Sequence, residues 1–79
     1  MLNLKIISPE KILFSGEVES VLVPGTVGEF EILKDHAPII STLEKGRVVY
    51  TTANGKRQLN IQGGFVEVKR NEISLCVEM

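Results

Sequence analysis

The amino-acid sequence predicts an all-β protein, a small antiparallel β-sandwich of about eight to ten short strands with no substantial helix. Three observations lead there. Apolar residues recur at every second position, as with Leu2, Leu4 and Ile6 set between Asn3 and Lys5, which marks a strand with one face buried. Turn-forming pairs such as Pro24-Gly25, Asn54-Gly55 and Gly63-Gly64 interrupt the pattern at short intervals. The longest helical candidate, 29–45, is cut by Pro38 and lacks an apolar stripe at i, i+3 and i+4.

Taken in order, the alternation assigns the first strand to Leu2, Leu4 and Ile6, ended by Ser8-Pro9-Glu10. A short second strand covers 11–15 with Gly16 after it. A third covers 17–23 before Pro24-Gly25, where proline presets one dihedral and glycine supplies a positive φ for a turn. Phe30 and Ile32 then face one way, Glu29 and Glu31 the other, and the chain extends again over 39–43. From Gly46 a longer strand sets Val48, Tyr50 and Thr52 against Arg47, Val49 and Thr51. Asn54-Gly55 is the strongest local signal, favoured where both central residues of a hairpin turn need positive φ, and it joins strand 47–52 to strand 57–62. Gly63-Gly64 marks a bulge or a close backbone approach. Phe65 to Lys69 resumes the pattern, and Arg70-Asn71-Glu72 turns the chain into Ile73, Leu75 and Val77.

Seventy-nine residues make a single domain, 1–79. Hydrophobic content of 43% with 24% charged residues implies a packed core. That core is thin, because a domain this small buries only about 60% of the surface its unfolded chain exposes. Cys76 is the lone cysteine and His36 the lone histidine, so neither a disulfide within the chain nor a structural zinc site is available to reinforce it. A protein partner is the expected source of extra stability. A net charge of −1 without a basic block argues against nucleic acid as that partner. The first ten residues do not read as a signal peptide, and no run approaches the roughly 20 apolar residues a membrane helix needs. No direct membrane insertion is expected, and a reducing, cytoplasmic setting is.

Asp35-His36 invites a catalytic reading, but neighbours in an extended segment point to opposite faces, and a nucleophile such as Ser41 or Cys76 would have to be brought in by folding. The scattered glycines include no Gly-rich run leading into a helix, so a nucleotide loop is not supported. No cation flanks Cys76 to activate it, and the residue reads as a small, partly buried thiol. Lys56 beside the Asn54-Gly55 tip is reminiscent of lipoyl or biotinyl carrier domains, yet Gly55 and Arg57 are the wrong flanks. No cofactor and no metal are expected. A stand-alone sandwich adaptor remains a competing reading.

Three stretches in fixed order, FSGEVESVLVPGTVGEF at 14–30, LKDHAPII at 33–40 and IQGGFVEVKRNEISL at 61–75, resemble the N-terminal β-sandwich of the epsilon subunit of F-type ATP synthases, the mitochondrial delta. The likeness runs from residue 2 to residue 78. It implies a non-catalytic rotor subunit on the central stalk, bound to the gamma subunit and to the ring of c subunits. It also implies a peripheral position on the inner, cytoplasmic face of a bacterial plasma membrane, within the proton-driven complex. On this resemblance His36, Ala37, Pro38, Ile39 and Ile40 match the segment that packs against gamma. Val27, Gly28, Glu29, Phe30 and Glu31 match the loop facing the polar loops of the c ring. The residues themselves fit those roles: Ile39 and Ile40 are adjacent, so one faces the core and the other faces out, where a partner can cover it. Many relatives carry Pro-Gly before the histidine, where this chain has Lys34-Asp35, so a differently shaped turn is expected there. The sequence ends at Met79, and the inhibitory C-terminal helical hairpin of the family is expected to be absent from it.

Overall fold

The computed structural model describes residues 1–79 and places the alternating residues as strands. These are β1 (Leu2–Ile7), β2 (Ile12–Val18), β3 (Ser20–Gly25), β4 (Gly28–Ile32), β5 (Ile39–Leu43), β6 (Gly46–Thr52), β7 (Gly55–Ile61), β8 (Gly63–Lys69) and β9 (Glu72–Glu78). No helix forms. The hydrogen-bonded path runs β2-β1-β9-β8-β5-β3-β6-β7, with β4 paired to β3. Its weakest link is between β5 and β3, joined by the single pair Gly25 and Leu43. The ladder therefore divides into a five-stranded half, β2-β1-β9-β8-β5, and a four-stranded half, β4-β3-β6-β7. Their inner faces share one cluster of 16 buried apolar residues, including Leu2, Leu4 and Ile6 from β1 and Ile73, Leu75 and Val77 from β9. The Phe14 and Tyr50 rings, centroids 4.6 Å apart and tilted by 46°, close β2 over β6. The shortest extent of the molecule is 18 Å, which fits two packed layers.

The sandwich departs from an all-antiparallel arrangement at one place. Strands β1 and β9 run parallel, from Asn3 beside Glu72 to Ile7 beside Cys76. Parallel neighbours need a long connection, and here the first and last strands have the rest of the chain between them.

Three local expectations are corrected. The break after residue 15 does not occur: Gly16 lies inside β2 opposite Leu4, and a Cβ there would lie 3.3 Å from Cζ of Phe14. The glycine makes room for a ring, and the chain breaks instead at Glu19, whose N–H donates to Thr51 O at 2.7 Å. Pro24-Gly25 is likewise strand, and the turn is Thr26-Val27. Proline is tolerated there because β3 changes neighbours at that point, from β6 (last pair Leu22 and Val49) to β5 (Gly25 and Leu43), so its missing N–H leaves no gap in a ladder. Gly25 is required because a Cβ would come within 2.8 Å of both Gly28 O and the Phe30 ring. In the β6–β7 hairpin the turn residues are Ala53 and Asn54, and only Gly55 has positive φ, at 116°. Gly63-Gly64 is the close approach expected: at Gly64, φ 146°, an added Cβ would collide with Cys76 O and lie 2.9 Å from Val77 Cα.

Gly64 and Gly55 thus need glycine for different reasons, and the two alanine variants separate them. Gly64→Ala is expected to destabilise the domain by more than about 3 kcal/mol, because β8 must move off β9. Gly55→Ala, where a Cβ meets nothing within 4 Å, should cost only about 1 kcal/mol of backbone strain. Denaturant midpoints at constant slope measure both, and equal losses would show that φ alone governs the two sites.

Candidate functional site

Strand β4 connects the two candidate surfaces. At its start the Thr26-Val27 turn leaves Val27 fully exposed, followed by Gly28 at φ 139°. Glu29 and Glu31 stand on the outer face opposite Pro24 and Leu22. Their backbone polar groups lie along a free edge, because β4 pairs with β3 alone. Arg47 Nε donates to Glu29 Oε2 at 3.5 Å, an exposed pair worth about 1 kcal/mol at most. Charge on a free edge also opposes unwanted strand pairing. Phe30 differs from its neighbours, since its ring turns inward and packs on the core.

At the other end of β4, residues 33–38 cross from the four-stranded half to β5 in the five-stranded half. The crossing begins with a turn in which His36 N–H donates to Leu33 O at 3.2 Å, and Asp35 has φ 64°. A positive φ at this third position, with none at Lys34, is what a type II turn demands, and Pro-Gly is its preferred filling. The Lys34-Asp35 pair therefore makes a turn of the kind Pro-Gly favours, against the expectation of a different shape.

Asparagine 71 holds that turn in place. Its Oδ1 accepts from Asp35 N–H at 2.9 Å, and its Nδ2 donates to Asp35 Oδ1 at 3.4 Å. Its backbone oxygen accepts from Asn3 N–H at 2.8 Å. One residue in the β8–β9 turn so joins the β4–β5 crossing to the start of β1. Next to it Arg70, at φ 60°, makes the tight turn possible. Sequence reasoning marked 70–72 as a turn and missed this tie, because the partner is 36 positions away.

His36 is not part of a catalytic pair. The Asp35 carboxylate is engaged by Asn71, and His36 Nδ1 donates to Ala37 O at 2.7 Å. A carbonyl only accepts, so Nδ1 carries a proton in this contact, and Nε2 makes no hydrogen bond within the chain. Ala37 and Pro38 are exposed. Ile39 packs against the core while Ile40, on the outer face, is 74% exposed, as their adjacency predicts. None of the main surface clefts is lined by Asp35 or His36; the widest, about 580 Å³, lies between Ser8 and Met79 at the β1–β2 turn. Cys76 is half-buried on the outer face of β9, opposite Phe65. Lys56 sits within β7 opposite Thr51, behind the hairpin tip where a carrier lysine would stand.

The strand places the surfaces apart. Five residues of β4 at about 3.4 Å each separate the Val27 turn from the His36 crossing by about 17 Å. No helix of the protein is long and apolar enough to cross a membrane.

Comparison with known proteins covers the same span. The ATP synthase epsilon chain of Leptospira borgpetersenii serovar Hardjo-bovis is 44% identical over 77 residues, which are 98% of this chain and 61% of that one. The epsilon chain of Chlorobium limicola is 42% identical over 77 residues, 96% of this chain and 88% of that one. The chain thus spans about three fifths of the length of its Leptospira relatives. Among solved structures, a chain of the Euglena gracilis mitochondrial ATP synthase superposes with a TM-score of 0.92 at 21% identity, over 99% of this chain and 51% of that one. A chain of the Tetrahymena thermophila mitochondrial ATP synthase central stalk and c ring gives 0.83 at 14% identity, over 99% and 63%. Both show the same fold. The family model of the β-sandwich domain of the ATP synthase delta/epsilon chain matches residues 1–79, and the chain belongs to that family.

Proposed function

We propose that the protein is a non-catalytic subunit of the central stalk of a proton-translocating ATP synthase, linking the gamma subunit to the c ring. Proton-driven rotation of the ring then reaches gamma without slip, and ATP is made elsewhere in the complex. The carrying observation is the arrangement about β4, with the outward carboxylates of Glu29 and Glu31 on the strand and, beyond it, a preshaped crossing that leads to the exposed Ile40, on one close-packed body. Such interiors have low compressibility and transmit strain. Membership of the delta/epsilon family and the names of the relatives support the reading.

In this reading His36, Ala37, Pro38, Ile39 and Ile40 form the gamma side. Ile40 supplies the exposed apolar contact, His36 Nε2 a polar one, and Ile39 anchors the segment from below. The cost of ordering the crossing on binding is small, since Asn71 and Pro38 already hold it. The interface buries at least about 1,200 Å² in total, as stable complexes do. Val27, Gly28, Glu29 and Glu31 form the ring side, with the carboxylates facing basic groups of the polar loops, and Phe30 holds the loop to the core. The protein then lies peripherally on the inner face of a bacterial plasma membrane, with no insertion of its own.

Two sets of variants test the map, read by gamma titration and by ATP-driven proton pumping in reconstituted complexes. Ile40→Asp is expected to weaken gamma binding by roughly tenfold or more, the factor that about 1.4 kcal/mol makes. Reversing Glu29 and Glu31 to lysine should lower pumping and leave gamma affinity unchanged; the opposite ranking rejects the assignment. Asn71→Ala touches neither partner, yet it should lower gamma affinity several-fold through the released crossing, with a loss of about 1 kcal/mol of stability. Wild-type affinity in that variant would show that the crossing is shaped by gamma instead.

A further inference from the structure

We infer that Asn54, at the tip of the β6–β7 hairpin, is a site of spontaneous deamidation in the folded protein. The reaction consumes only water. The backbone nitrogen of the following residue gives up its proton and attacks the asparagine Cγ. The Cγ–N bond breaks and ammonia leaves, carrying the proton, and a cyclic imide remains. Water then opens either ring carbonyl, giving aspartate or isoaspartate, in which the main chain runs through the former side chain. An amide and a water become a carboxylate and an ammonium ion, with no oxidant or reductant.

That attack is favoured by a following residue without a side chain, an unrestrained asparagine side chain and a segment able to bend. Of the four asparagines, only Asn54 meets all three conditions. Its successor is Gly55, which has no side chain to hinder the approach; the N–H of Gly55 faces Thr52 in the last pair of the β6–β7 ladder, the pair that must open for the attack. Asn54 is exposed, and its hydrogen bond is a backbone one, from its N–H to Thr52 Oγ1 at 3.1 Å. Glycine also leaves the turn free to rotate toward the attacking geometry. The other three are restrained. Asn3 lies within β1, between β2 and β9, and precedes Leu4, which is 1% exposed. Asn60 accepts from Gln58 Nε2 at 3.4 Å and precedes Ile61, which is 1% exposed. Asn71 is held from both ends of its amide by Asp35 and precedes Glu72, which carries a side chain.

The change is local and electrostatic. It sets a carboxylate beside Lys56 and Arg57, two exposed cations outside the one ion pair of the protein, and adds a negative charge to a chain of net charge −1. The isoaspartyl product also lengthens the link between Thr52 and Gly55, which form the last pair of the β6–β7 ladder.

Incubation of the intact chain in heavy-oxygen water at mildly alkaline pH, followed by peptide mass spectrometry and isoaspartyl methyl labelling, tests the assignment. The expected result is oxygen label at Asn54 accumulating roughly tenfold or more faster than at Asn3, Asn60 or Asn71, with isoaspartate prominent. A parallel incubation in denaturant sets the unrestrained rate, and the folded chain should come within about tenfold of it at Asn54. Conversion of Asn54 in denaturant but not in the folded protein would overturn the proposal, as would faster conversion at another asparagine. Asn54→Gln keeps the turn exposed and closes an imide ring far more slowly, so label persisting at position 54 in that variant would also overturn it.

Discussion

The whole arrangement depends on two curved half-sheets sharing one apolar interior. Sixteen side chains supply it, and with Cys76 free they are the main term opposing chain entropy. Because β3 and β5 meet at a single register pair, flanked by hydrogen bonds from Thr26 N–H to Thr42 O and from Glu44 N–H to Pro24 O, packing more than the ladder holds the halves face to face. The glycines at 16, 25, 46 and 64 are placed where a strand, a ring or a proline must come unusually close. Gly46 shows it plainly, since a Cβ there would lie 2.8 Å from Cβ of Pro24.

That interior explains why the surfaces of interest lie where they do. β4 is an edge strand, with one long side paired to β3 and the other open. Its inner residues Phe30 and Ile32 are committed to the core, which obliges Glu29 and Glu31 to face water. The same rule acts across the crossing, where Ile39 is drawn inward and Ile40 is left outside. The exposure of these residues is a by-product of alternation, and the crossing between them is shaped by a turn that Asn71 fixes from a distant part of the chain.

Much of this was legible in the residues, and the limits have physical causes. Period-two alternation located β1, β6, β8 and β9 because each has one face in the core, and burial along β9 follows it residue by residue. It also separated Ile39 from Ile40. Reading glycine and proline as breakers failed at Gly16 and Pro24-Gly25, where they serve packing and a change of strand partner. In the β6–β7 hairpin the turn lies one residue earlier than Asn54-Gly55, at Ala53-Asn54, and Gly55 alone supplies the positive φ. The parallel β1–β9 pair and the Asn71–Asp35 tie join residues far apart in sequence, and local pattern carries no record of such meetings. The resemblance of three short stretches identified the family, which composition and periodicity left unassigned.

The pairing of the first and last strands has a mechanical corollary. Because β1 and β9 lie side by side and point the same way, the two chain termini leave from opposite ends of that ladder. Tension applied between them shears all the β1–β9 hydrogen bonds together; it does not peel them singly. A body gripped in this manner yields at a higher force than a hairpin pulled open from its mouth, and such resistance is a property of the topology itself.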